Sequence, residues 1–142
     1  YKLVNFMMKF YKVMNLLRNT GTAKRTDIIY LVELVSRGQL LEKFDYEWGD
    51  SFKSYYSTIC IEYMMNLLQA PQLKNDLPLL INICDAILVH DRLEEKAVTM
   101  KCKYLYQMGR KGLSKNCFDS FCQDYKLLLN ESPKLVFEDI IS

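Results

Sequence analysis

The chain has 142 residues, half of them hydrophobic, with only 5 glycines and 3 prolines. This excludes a disordered or loop-rich chain and suits one domain that buries a core without disulfides or metals. Its 19 Lys and Arg nearly cancel 17 Asp and Glu, so composition supplies no concentrated positive field of the kind that neutralises a phosphate backbone.

The first predicted element is a helix from Lys2 to Asn19, where Leu3, Phe6, Met7, Phe10, Val13, Met14 and Leu17 recur at steps of three and four. Thr20-Gly21-Thr22 ends it. A chain opening on Tyr1, already inside an amphipathic pattern with no signal peptide, reads as a fragment of a longer protein. A second helix is expected from Thr26 or Asp27, either of which could cap it, through Ile28, Leu31, Val32 and Val35 to Gly38. Residues 1–38 thus form a helical hairpin.

Gln39 to Asp50 is the least regular stretch and reads as a linker pinned to the core by Phe44, Tyr46 and Trp48. The next helix is predicted from about Asp50 to Leu68, with Phe52, Tyr55, Tyr56, Ile59, Tyr63 and Leu67 inward. Ala70-Pro71-Gln72 breaks it. Asp76, with Pro78 in the first turn, opens a helix carrying Leu80, Ile83, Ile87 and Leu88, closed by His90-Asp91. Leu93 to Met108 follows, with Leu93, Ala97, Met100, Tyr104 and Met108 on one face and Gly109 as its stop. A last long helix carries Cys117, Phe118, Phe121, Tyr125 and Leu128 and halts before Ser132-Pro133. Leu135 to Ile141 adds a short terminal helix.

No run alternates with period two between hairpin turns, so the expected fold class is all-α. The longest apolar runs, such as Leu127 to Leu129, are far too short to span a membrane. Cys60, Cys84, Cys102, Cys117 and Cys122 are odd in number and contain no C-x-x-C pair; they read as reduced core thiols and point to a cytoplasmic setting. Two units of roughly 34 residues can be laid over residues 50–129, each a helix, a turn and a helix, which is the tetratricopeptide period. The expected architecture is therefore antiparallel helix pairs in a right-handed, tetratricopeptide-like stack, about six helices plus the short C-terminal one.

The second unit is the more specific. Asp91-Arg92-Leu93-Glu94-Glu95-Lys96-Ala97 opens a helix, Met108-Gly109-Arg110-Lys111-Gly112 turns it, and Leu129-Asn130-Glu131-Ser132-Pro133 ends its partner. This resembles the bacterial transcriptional activator domain of activators of the antibiotic regulatory protein type. In that family a segment of the form D-P-x-x-E-x-A, L-G-R, a helix with a central Tyr, and L-G-x-x-P follow in this order. Upstream, Leu34-Val35-Ser36-Arg37-Gly38-Gln39-Leu40-Leu41 and Tyr46-Glu47-Trp48 are similar to its L-x-x-G-x-L-L and aromatic-Trp segments, extending the resemblance over Leu34 to Pro133. Arg92, Phe118 and Asn130 stand where the family has Pro, Tyr and Gly, the mark of a divergent branch. The resemblance implies a protein-interaction or oligomerisation domain of a transcription regulator, with DNA contacted only by another part of the intact chain. A general tetratricopeptide scaffold that binds a peptide is the alternative, and a domain accessory to an enzyme the third.

Chemistry-bearing residues are sparse. His90 is the only histidine, which removes the usual general base, most zinc sites and a histidine triad, and it is expected at a helix end. Glu94 and Glu95 are expected as helix-start charges rather than a catalytic pair. Cys117 and Cys122, five apart, point to different sides of a helix and do not form a joint metal site. Lys101, Lys103, Arg110, Lys111 and Lys115, interleaved with Tyr104 and Tyr106, could form a nucleic-acid patch, but a solvated face over a core is the simpler reading. The expectation is a non-enzymatic chain with no catalytic residue, metal, cofactor or small-molecule substrate, whose partner is a protein or a second copy of itself.

Overall fold

The computed structural model describes residues 24–38 and 47–142, with Met8, Tyr11, Lys12 and Asn15 as isolated helical positions, and for residues 47–53 the backbone alone. The protein is all-helical, with no strand among these residues. The helices are α1 (Arg25–Ser36), α2 (Glu47–Leu68), α3 (Leu77–His90), α4 (Glu95–Gln107), α5 (Lys111–Leu129) and α6 (Phe137–Ile141), with a 3-10 turn at Pro71–Leu73. The helix predicted from Lys2 to Asn19, its stop at Thr20-Gly21-Thr22, and Phe44 and Tyr46 of the expected linker lie outside the described residues.

In α1 the N-cap is Lys24, which makes no side-chain cap bond. Neither Thr26 nor Asp27 is the cap expected from sequence; Asp27 instead sits in the first turn, where a carboxylate complements the helix dipole. Ile28, Leu31, Val32, Leu34 and Val35 are buried. After Arg37 the chain turns left-handed at Gly38 (φ +42°), where a Cβ would stand 2.6 Å from Val89 Cγ1. Glycine is required there twice, for its backbone angle and for the close approach of α1 to the end of α3.

Helix α2 starts three residues earlier than predicted, and Trp48 belongs to it rather than to a linker. Its buried face is Tyr56, Cys60, Met64, Leu67 and Leu68, whereas Tyr55 is 59% exposed. The predicted stripe is therefore rotated by about one position. Tyrosines mark the flanks of this face, with an apolar ring and a polar tip, while the compact Cys60 and the flexible Met64 fill its centre.

Asp76 caps α3 as expected: its side chain accepts from the Leu79 N–H, and Pro78 lies in the first turn where its missing N–H leaves no gap. The carboxylate also accepts from Arg25 Nε at 2.8 Å, tying the start of α1 to the start of α3. That hydrogen bond holds the Asp76 carboxyl below the usual carboxylate range, outweighing a small opposing effect of burial. Since the folded value lies below the unfolded one, the pair contributes stability in full above the unfolded value and loses it as pH falls through the folded one. Asp76→Asn keeps a cap but not the charge. We expect it to melt below the wild type at pH 7 and to converge with it as pH falls through the carboxylate range; a pH-independent offset would contradict this account.

Helix α3 is the hub, packing against α1, α2 and α4, while α4 in turn packs against α5 and α6. A first core gathers α1 to α4 around Ile28, Leu31, Met64, Leu80, Ile83 and Ile87. A second, smaller one joins α4 to α6 through Val98, Cys102, Phe118, Phe121 and Ile140. Helix α4 serves both, so its buried residues Ala97, Val98, Cys102, Tyr104 and Leu105 occupy more than the single predicted stripe. Gly109 (φ +80°) ends the α4 turn and Asn130 (φ 55°) ends α5, each in the left-handed conformation that closes helices. Leu128, predicted inward, is 52% exposed beside Leu127 and Leu129, because the last turn of α5 runs past its apolar neighbours. Phe137 of α6 stacks obliquely on Phe118 at 5.6 Å.

Candidate functional site

Helices α4 and α5 are joined by residues 108–110 and run antiparallel in close contact. Two reciprocal bonds fix the approach: Ser114 Oγ donates to the Cys102 carbonyl at 2.8 Å, and the Cys102 thiol donates to the Ser114 carbonyl at 3.5 Å. Small side chains let the two backbones come this near. Helix α3 flanks α4 on its other side, so α3 and α5 wall a groove of about 700 Å³ with α4 at its floor.

The groove has apolar walls, including Leu88 and Val89 from α3, Val98 and Leu105 from α4, and Leu113 and Phe121 from α5. Val89 and Leu113 are each about half exposed. Its four charged groups are two of each sign: Asp85 and Asp124 against Arg92 and Lys101. Lys101 Nζ and Asp85 Oδ1 pair at 2.6 Å. Burial pulls the Lys101 ammonium down, but the hydrogen bond and charge of Asp85 outweigh it, and the net direction is up. A second groove of about 570 Å³ lies between α1 and α3, lined by Arg25, Ile29, Arg37 and Asn82 among others, and shares Asp85 with the first.

His90 ends α3, as expected, and its ring bridges three helices. Nε2 lies 2.9 Å from the Val35 carbonyl of α1 and Nδ1 lies 2.9 Å from Ser57 Oγ of α2. A carbonyl only accepts, so Nε2 carries a hydrogen; in the neutral ring Nδ1 then accepts from the Ser57 hydroxyl. Tyr56 meets the imidazole edge-on at 5.7 Å between ring centres. Serine, imidazole and a third orienting group also outline a nucleophile and its base. Here the third group is a backbone carbonyl, and neither Ser57 nor His90 lines either groove. The geometry is that of a lock between α1, α2 and α3. Replacing His90 by Ala strands the Val35 carbonyl and the Ser57 hydroxyl, with an expected loss of about 1–3 kcal/mol in urea unfolding. His90→Gln, which can restore one bond, should recover part of it.

The remaining sequence candidates do not converge. Glu94 is the N-cap of α4 and Glu95 lies in its first turn, so they are helix-start residues rather than a buried pair. The potential basic patch is dispersed. Lys101 pairs with Asp85, Lys115 pairs with Asp119 at 3.1 Å and lies over the Phe118 and Phe137 rings, and Lys111 lies over Tyr106. Tyr104 is buried in the first core and offers no face for a base to stack on. Cys117 lines the groove, whereas Cys122 does not. Among the described residues no group of three or more His, Cys, Asp or Glu could hold a metal ion, and no helix is long and apolar enough to cross a membrane.

Sequence reading missed the groove and the His90 lock. Both depend on residues brought together from separate helices, and only the hydrogen-bonding capacity of a lone histidine in an apolar pattern hinted at the second. Compared with family models, with curated proteins and with solved structures, the chain matches none.

Proposed function

We propose that this chain is a protein-interaction domain that receives a segment of another polypeptide in the groove between α3 and α5. The observation that carries the reading is the lining of that groove: half-exposed Val89 and Leu113 facing apolar neighbours, with charges that cancel. Lys101 and Asp85 satisfy each other, so an occupant gains most from apolar side chains and has no net charge to meet. A short amphipathic segment with leucine-like or aromatic anchors fits this chemistry. A phosphate backbone does not, because the nearby lysines are engaged with carboxylates and rings.

Stacking of α2–α3 and α4–α5 as two tetratricopeptide-like pairs is part of this proposal. So is the setting within a bacterial transcription regulator, which rests on the sequence resemblance from Leu34 to Pro133. A selection of random twelve-residue peptides displayed on phage against the folded domain tests the binding role. We expect enriched peptides with two or more apolar anchors whose binding falls at least tenfold in Leu113→Glu, a half-exposed position whose change leaves the helical circular dichroism intact. Failure to enrich any peptide, or binders indifferent to Leu113→Glu, would overturn the reading.

A further inference from the structure

The five cysteines do not share one environment. Cys60 and Cys84 are fully buried, and burial pushes both thiols up to about 12. They are inert packing groups. Cys117 is different: it is half-buried on α5, lines the groove, and faces the buried Cys102 of α4, with which it shares a thiol–thiol hydrogen bond. The Ser114–Cys102 bonds hold the two helices together one turn from this pair. Lys101, also in the groove, places an ammonium nearby, while Asp85 partly offsets it.

We propose that Cys117 and Cys102 form a peroxide-reactive thiol pair, in which groove-facing Cys117 is the attacking sulfur and buried Cys102 closes a disulfide that staples α4 to α5. The Cys117 thiolate attacks one oxygen of hydrogen peroxide. The S–O bond forms as the O–O bond breaks, and the departing hydroxide takes a proton to become water. The Cys102 sulfur then attacks the Cys117 sulfenic sulfur; the S–S bond forms, the S–O bond breaks, and the hydroxyl leaves as water with the Cys102 proton. Two thiols lose two electrons in total, and one peroxide is reduced to two waters.

The surroundings favour these roles. The hydrogen bond from Cys102 holds the Cys117 thiol down at about 7; burial and Asp85 oppose this, and Lys101 reinforces it. Cys102 is pushed the other way, first by the same hydrogen bond and then by burial, so it remains a thiol until Cys117 has been oxidised. Cys84 also faces Cys117 and is the competing partner. Cys122 provides an internal control, since it too is half-buried on α5 but its thiol is shifted up by burial and by Asp119, against a smaller opposing effect of Lys115.

The test uses the reduced wild-type protein, treated with a small excess of hydrogen peroxide, blocked with N-ethylmaleimide and digested without reductant for mass spectrometry. We expect one cross-linked peptide pair, Cys102 with Cys117, and maleimide on Cys60, Cys84 and Cys122. Absence of a cross-link, or a cross-link from Cys117 to Cys84 or Cys122, would overturn the proposal. In parallel, iodoacetamide at pH 7 should label Cys117 on the order of fivefold faster than Cys122, with a midpoint at about 7 for Cys117; equal rates would count against it. Cys102→Ser should stop the reaction at a Cys117 sulfenic acid that dimedone captures, and the wild-type map stands alone if that variant fails to fold.

Discussion

Phe121→Ala is expected to destabilise the protein by about 3–5 kcal/mol in urea unfolding, enough to consume a large part of the stability of a domain this size. Phe121 is 3% exposed and belongs to the small core between α4, α5 and α6, with Val98, Cys102, Phe118 and Ile140 as its fellow members. Its ring also meets Tyr125 at 5.7 Å. With so few members, this core has little material to collapse into the space an alanine would leave. Leu127, on the same helix but 80% exposed, is the control: Leu127→Ala should change stability by less than about 0.5 kcal/mol. Equal effects at the two positions would mean that α5 packs on a different face.

Ile83→Ala should be comparably damaging, with an expected loss of about 2–5 kcal/mol. Ile83 is fully buried on α3, the helix that touches α1, α2 and α4. A cavity there loosens three interfaces at once, and the surrounding helices cannot close on it without disturbing the His90 lock at the end of the same helix. The double variant Ile83→Ala/His90→Ala is therefore expected to depart from additivity by more than about 0.5 kcal/mol, the usual limit for independent sites. Strict additivity would show that the two ends of α3 act separately.

Signals carried by neighbouring residues were legible in the sequence. Asp76 with Pro78 marks the start of α3, Gly109 ends the turn after α4, and Phe118 and Phe121 lie inward on α5, because capping and helical periodicity operate within one or two turns. Periodicity was weakest where side chains are ambivalent. Tyrosine fits either side of an interface, and the α2 stripe was placed through exposed Tyr55 instead of through Cys60 and Met64. Leu128 was misplaced for another reason: an apolar residue in phase is buried only if a neighbour extends far enough to cover it.

The groove was not legible at all. It depends on α3 and α5 standing apart over α4, and on Asp85 meeting Lys101 across two helices. The Cys102–Cys117 contact is likewise a product of antiparallel register, which spacing along one helix does not reveal.

The most direct measurement of the central claim is a methyl and amide NMR titration of the wild-type domain with a peptide recovered by display selection. Saturable shift changes concentrated on Leu88, Val89, Leu105, Leu113 and Phe121 are the predicted result. Changes centred on α1 or on the exposed end of α5, with these groove residues unmoved, would contradict it.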